Sequence, residues 1–267
     1  MSAVASRRAR HVVRSWVSEK PAYLPFARRR YPGPSPEVIG PATEIVIDGY
    51  TRCASTFAVY AFQLAQERPV RMAHHLHAPA QLIAAAKVGL PTMVVIRDPE
   101  GAVLSQAVRE PGVALRDAFW AYERFYARLL PFRSSFVVAD STEVTTDFAS
   151  VVRRLNARFG TSFREFEPSE ENLDRCLALM RERSKLPEAL LRFESGTASL
   201  EDALSAVAHP DGVREETEAW VPSAEREQRK DALRADLLHP RLERSRARAR
   251  ATYESFLRGD AEEGSST

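Results

Sequence analysis

Between residues 44 and 160, short apolar, β-branched runs alternate with stretches of helical spacing, and no other feature narrows the possible folds as far. Glu44-Ile45-Val46-Ile47-Asp48-Gly49 reads as a strand closing on glycine, and Ser55 to Gln66 carries Phe57, Tyr60, Ala61 and Leu64 at helical intervals. Val70 to His74 reads as a second strand, Pro79 to Val88 as a helix, and Pro91 to Ile96 as a buried third strand. Asp98-Pro99-Glu100 has the grammar of a helix start, with Asp as N-cap, proline at the first helical position and an acid in the first turn. A helix over Ala114 to Leu130, a strand over Ser135 to Ala139 and a helix over Thr142 to Arg158, ended by Gly160, complete the series. Strands separated by helices pair in parallel. The expectation is therefore an α/β fold, a three-layer α/β/α arrangement around a central parallel sheet, with ligands at the carboxyl ends of the strands.

With 267 residues the chain suits one large domain, and the segments flanking the alternating core read as additions to it. Residues 1–43 form a basic N-terminal arm, in which the first 31 residues hold eight Arg/Lys against one acid, Glu19, before the prolines around Gly33 interrupt regular structure. The expected reading of the arm is a solvated surface helix. Residues 44–166 are the α/β core, 167–220 a helical region in which strand signals stop, 221–258 charged C-terminal helices, and 259–267 an acidic tail expected to be disordered. No apolar run approaches the ~20 residues of a membrane span or forms a signal-peptide core, so a cytoplasmic location is expected. A net charge of +2, from 38 basic and 36 acidic residues, gives no bulk reason for nucleic-acid binding, so any anion must be held locally. The two cysteines, Cys53 and Cys176, have neither disulfide-framework nor zinc spacing.

Two local anion sites are legible. In Gly49-Tyr50-Thr51-Arg52-Cys53-Ala54-Ser55-Thr56-Phe57 a buried strand feeds a helix whose first N–H groups lack intrahelical acceptors and sit at the positive end of the helix dipole. Arg52 adds a charged fork, and Ser55 and Thr56 add hydroxyl donors. The Gly-x-x-x-x-Gly-Lys-Ser/Thr signature is missing, which argues against an ATP or GTP hydrolase. In the second segment Arg97 leaves the end of the third strand, and Ser105 returns to nearly the same face two helical turns past the N-cap Asp98. Seen alone, each segment also describes an ordinary strand–helix turn with a surface arginine.

Taken together, the strand, Tyr-x-Arg-x-x-Ser-Thr-Phe and helix, then a later strand with Arg-Asp-Pro and eight residues from Arg to Ser, resemble the cofactor-binding signatures of sulfotransferases that use 3'-phosphoadenosine 5'-phosphosulfate (PAPS). The resemblance covers about residues 44–160. It implies a P-loop-type nucleotide-binding fold in which Arg52, Cys53, Ala54, Ser55, Thr56 and Phe57 surround the 5'-phosphosulfate, while Arg97 and Ser105 hold the 3'-phosphate. It further implies adenosine 3',5'-bisphosphate as product, no metal, and a small-molecule, lipid or carbohydrate acceptor offering a hydroxyl or an amine. The chain departs from the family at two positions: Arg52 stands where many members have lysine, and Ala54 where they have glycine.

His74-His75-Leu76-His77-Ala78-Pro79 holds three of the six histidines. Were this stretch extended, His75 and His77 would share a face, with His74 on the other. An imidazole suits general-base work near neutral pH. The family often shows Lys-x-His-x-Pro here, which points to His77 as the base, with His75 as the alternative. A metal at this pair would need a third ligand from elsewhere in the chain. Asp140 is expected to cap a helix, and Cys53 to pack. Pro222 to Lys230 brings Arg226, Arg229 and Lys230 to a late helix start, where family members close the cofactor site with cations; a solvated helix face is the other reading of this segment. The region 167–220 is expected to shape the acceptor pocket. The rival functions are a non-catalytic nucleotide-binding or scaffold protein of the same fold, which Arg52 and Ala54 favour, and a nucleotide-dependent kinase.

Overall fold

In the computed structural model, which describes residues 3–183, 188–208 and 224–258, four strands form a sheet in the order β2-β1-β3-β4. They are β1 (Ile45–Gly49), β2 (Met72–His74), β3 (Thr92–Ile96) and β4 (Val137–Asp140), and every neighbouring pair is parallel. β1 and β3 are buried along their whole length, as continuous apolar runs in a parallel sheet require. The expected α/β class with an all-parallel sheet is thus observed.

This strand order dictates where the helices lie. From β1 the chain crosses through α3 (Ser55–Ala65) to β2 on one side, then returns through α4 (Pro79–Lys87) over β1 to β3 on the other. Right-handed crossovers in opposite directions put α3 and α4 on opposite faces. Beyond β3 come α5 (Pro99–Arg109) and α6 (Leu115–Leu129); beyond β4 come α7 (Ser141–Thr146), α8 (Phe148–Phe159), α9 (Glu170–Glu182), α10 (Glu188–Glu194), α11 (Leu200–Ala208), α12 (Ala224–Leu237) and α13 (Glu243–Arg258). α3 packs against α7, α9 and α10, whereas α6 packs against α4, α5 and α13. The helices thereby fall into two groups with the sheet between them.

Three expectations change. The single helix expected over 142–158 is two, because the Asp147 carboxylate accepts the Ser150 N–H and restarts the helix after Thr146. The N-terminal arm is integrated into the fold: α1 (Ala3–Val17) packs on α6 and α2 (Tyr23–Arg30) on α4, with Tyr23, Leu24 and Ala27 buried. Glu19, the only acid of the first 31 residues, is buried between Arg124 and Arg128 of α6. Finally, β2 ends at His74, and His75 and His77 have positive φ of 56° and 50°, so the histidines do not alternate as on a strand. Residues 209–223, the end of the expected 167–220 region and the start of the next, and the tail 259–267 lie outside the described residues.

β1 and β3 meet where the chain reverses its direction of winding, and their carboxyl ends open into the crevice that such sheets use for ligands. Gly49, the last residue of β1, makes this approach possible, since a Cβ there would overlap the carbonyl oxygen of Val95 on β3. We predict that Gly49→Ala lowers stability by about 1–3 kcal/mol, the usual cost of forcing a methyl group into packed backbone, with urea unfolding as the measurement; an unchanged midpoint would show that the two strands can part without cost.

Candidate functional site

The loop from Tyr50 to Ala54 joins β1 to α3 and carries two left-handed residues, Arg52 (φ 68°) and Ala54 (φ 69°). Left-handed geometry at non-glycine residues costs energy and persists only where the surroundings enforce it. Here α6 supplies the enforcement. The Tyr126 hydroxyl donates to the Val95 carbonyl at 2.8 Å and accepts the Tyr50 N–H at 3.1 Å, tying the loop to the end of β3. Four residues earlier, the Tyr122 hydroxyl donates to the Arg97 carbonyl at 2.6 Å.

Both loops empty into one cleft of about 690 Å³. Its walls include Arg52, Ala54, Ser55, Thr56 and Phe57 from the first loop, and Arg97 and Ser105 from the second. Arg52 Nε donates to Ser105 Oγ at 3.2 Å, and Arg97 Nη1 lies 3.4 Å from the Arg52 carbonyl, so the two segments interlock. Gly101 permits this, because a Cβ at that position would overlap Asp98 and press on the Arg97 guanidinium. Asp98 accepts the N–H groups of Glu100 and Gly101, as expected of the cap, and Asp140 caps Thr142 while accepting from the Tyr253 hydroxyl at 2.8 Å.

The electrostatics of the cleft favour an anion. Burial, followed by the charges of Arg226, Arg109 and Arg97, pushes the Arg52 guanidinium down to about 9. An anionic ligand would relieve that crowding. Ser55 Oγ is buried at the start of α3 with no hydrogen-bond partner among the described residues, which leaves a hydroxyl ready for a ligand oxygen. Arg226 and Lys230 of α12 line the same cleft, whereas Arg229 does not; it pairs with Glu225 at 2.7 Å. The Cys53 side chain is likewise absent from the lining. It is fully buried beside the Tyr126 hydroxyl, and burial pushes its thiol up to about 12. From the 167–220 region, Leu173, Leu177 and Met180 of α9 form an apolar wall of this cleft.

The three histidines have separate surroundings. His77 lines the large cleft and also a smaller cavity of about 50 Å³, bounded by His11, Arg14 and Ser15 of α1 together with Tyr50 and Phe125. Its Nδ1 is 2.8 Å from the Gly49 carbonyl and 3.0 Å from Asp48 Oδ1. A carbonyl can only accept, so Nδ1 bears the hydrogen and Nε2 is the basic nitrogen. Asp48 is fully buried, and it also accepts the backbone N–H of Gly49 and of His77, both at 2.9 Å. Sequence reasoning missed this residue; the signal was a carboxylate inside an otherwise apolar strand.

His75 is buried behind the loop, its Nε2 3.1 Å from Thr56 Oγ1 and its Nδ1 2.6 Å from His74 Nδ1. It does not line the cleft. Glu194 of α10 completes a buried group with these two histidines, the ligating atoms lying within 4.8 Å of one another. The His75–His77 pair expected for a metal is therefore not the one that gains a third ligand; the group is His74, His75 and Glu194. The carboxylate is already engaged, however, by Arg183 and by the Tyr60 hydroxyl, each at 2.5 Å.

The chain matches no protein-family model, no curated protein and no solved structure.

Burial, then the charge of Arg183, pushes His74 down to about 3 and His75 well below its ordinary value. Both imidazoles stay neutral while the chain is folded and take up protons near pH 6.5 once it unfolds. The unfolded state therefore binds more protons as pH falls. Stability should drop from about pH 6.5 downward, by at most about 2.7 kcal/mol per pH unit for two histidines. Urea unfolding followed from about pH 7 to pH 5 measures this slope, and His74→Asn should reduce it by about half.

Proposed function

We propose that the chain is a PAPS-dependent sulfotransferase with a fold of the nucleotide-binding P-loop type. The observation that carries this reading is the convergence of two arginines from the ends of β1 and β3, with Ser55 and Ser105, on one cleft that also contains His77. The cleft volume of about 690 Å³ lies within the roughly 300–1,000 Å³ typical of small-molecule sites. Its residues suit the donor chemically: a crowded cationic cluster, a buried hydroxyl without a partner among the described residues and a helix start for phosphate oxygens, beside the apolar α9 side chains.

Such a donor, when bound, supplies a sulfuryl group activated by a phosphate leaving group. Arg52, Ser55 and the first N–H groups of α3 would hold the phosphosulfate end and oppose the charge that grows there during transfer. Arg97 and Ser105 would hold the 3'-phosphate, with Arg226 and Lys230 of α12 as additional cations. His77 Nε2 would take the proton from an acceptor hydroxyl or amine. Asp48 and the Gly49 carbonyl, by holding Nδ1–H, keep the ring in the useful tautomer and stabilise the imidazolium that forms. Thr56, hydrogen-bonded to His75, helps keep the start of α3 in place, which makes His75 a support for the loop.

Calorimetric titration tests the donor site. The expected result is binding of adenosine 3',5'-bisphosphate in preference to magnesium-ATP, with Arg97→Ala losing affinity for the bisphosphate by tenfold or more while retaining most of its affinity for adenosine 5'-phosphate. Preference for magnesium-ATP would favour a kinase, and equal losses for the two adenylates would remove Arg97 from the 3'-phosphate site.

A second prediction concerns the base. In assays with PAPS and a panel of alcohols and amines, His77→Ala should bind the bisphosphate normally and lose about 10²–10⁴-fold in turnover. Asp48→Asn should lose about 10–100-fold in kcat through misorientation of the ring, with KM for the donor little changed. Wild-type turnover in His77→Ala would move the base elsewhere.

A further inference from the structure

The outer face of the N-terminal helices plays no part in the cleft. Arg10, Val13, Trp16 and Lys20 recur at intervals of three, three and four residues, which is one face of α1 continued past its end. Val13 is 57% exposed and Trp16 51% exposed, and the Lys20 ammonium lies 5.2 Å from the centre of the Trp16 ring. On α2, Phe26 is 57% exposed, with Arg29 and Arg30 exposed in the following turn. Buried sites cover such residues, so an indole and a phenyl ring left in water call for an explanation.

The charge on this segment points in one direction. The only acid of residues 1–31, Glu19, is turned inward to Arg124 and Arg128, so no carboxylate of the two helices offsets their exposed cations. The inner side of the same helix is committed to the fold, through Arg8 on Asp117 and through His11 and Ser15 on the smaller cavity. What remains is an outer face of α1 on which Val13 and Trp16 stand between Arg10 and Lys20, and on α2 an exposed Phe26 followed by Arg29 and Arg30. An exposed helix face with a tryptophan suits the boundary between water and hydrocarbon, and flanking Arg and Lys suit a layer of anionic headgroups. Neither signal alone holds a protein to a bilayer; an apolar insertion combined with a basic rim does.

We propose that α1 and α2 form a docking surface for anionic phospholipid bilayers, with Trp16 and Val13 entering the headgroup boundary and Arg10, Lys20, Arg29 and Arg30 contacting lipid phosphates and carboxylates. The chain lies on the membrane and does not cross it; among the described residues no helix is long and apolar enough to span one. The proposal is independent of the sulfotransferase reading, since none of these side chains contributes to the large cleft.

Flotation of the full chain with vesicles tests it. Vesicles with about one third phosphatidylserine in phosphatidylcholine should carry the protein at low salt and release it at high salt, and phosphatidylcholine alone should leave it behind. The double variant Arg10→Glu/Lys20→Glu should lose at least about tenfold in partitioning, and Trp16→Ala about three- to tenfold, with melting temperatures near that of the wild type. Quenching of the tryptophan emission of the wild-type chain by a brominated phosphatidylserine reads bilayer contact without any variant, and its loss in Trp16→Phe, which keeps an aromatic ring in place, assigns the contact to Trp16 among the three tryptophans. Equal partitioning to both vesicle types, wild-type partitioning by either variant, or retention on an acidic protein or duplex DNA without vesicle binding would each overturn the proposal.

Discussion

A carboxylate removed completely from water must be satisfied by hydrogen bonds or it destabilises the fold by several kcal/mol. Asp48 is such a group, and its partners organise the centre of the molecule. One oxygen receives the Gly49 N–H and faces the His77 ring, and the other receives the His77 N–H, with the Gln81 amide 3.4 Å away. The end of β1, the turn after β2 and the first turn of α4 are thereby joined at a single point. Gln81 extends the connection, since its carbonyl oxygen accepts the Ile39 N–H from the segment that follows the N-terminal helices. His77, whose N–H and ring both meet this carboxylate, has a positive φ, a conformation that costs energy at a non-glycine residue.

Much of this architecture is legible in residue order. Alternating apolar runs give the parallel sheet, and the turns that end β1 and β3 carry the arginines and hydroxyls that meet in the cleft. The sequence does not reveal what depends on contacts between distant segments. Tyr122 and Tyr126 read as core positions of an amphipathic helix, yet their hydroxyls fasten the two loops. Glu194 reads as a helix residue among many, yet it is fully buried against Tyr60, Arg183 and the paired histidines. The histidine stretch departs from strand alternation for a related reason: periodicity describes regular elements, and His75 and His77 have positive φ where the chain turns, with His77 held by Asp48 of another strand. Arg229 and Lys230 are adjacent, and only the helical angle between them decides that Lys230 faces the cleft while Arg229 turns to Glu225.

The N-terminal helices link the interior to the exterior. α1 presents His11, Arg14 and Ser15 to the cavity beside His77 and an indole to the surroundings, so the two faces of one helix bound two different environments. α6 occupies the corresponding position inside, with Asp117 receiving Arg8 of α1 and Arg124 and Arg128 receiving Glu19. A shift of α1 would therefore reach the cavity wall directly, and it would reach the β1 loop through the α6 tyrosines.

Both cysteines are fully buried, and burial pushes each thiol up to about 12. The thiolate is the reactive species, so alkylating reagents will find almost none of it in the folded chain. Cys53 sits at the root of the β1 loop and Cys176 in α9, two segments that contribute other residues to the cleft wall, and each becomes reactive only when its own neighbourhood opens. The native chain thus carries two internal clocks. The rate at which each sulfur is labelled reports how often that wall of the cleft breathes, without any label or probe having been engineered into it.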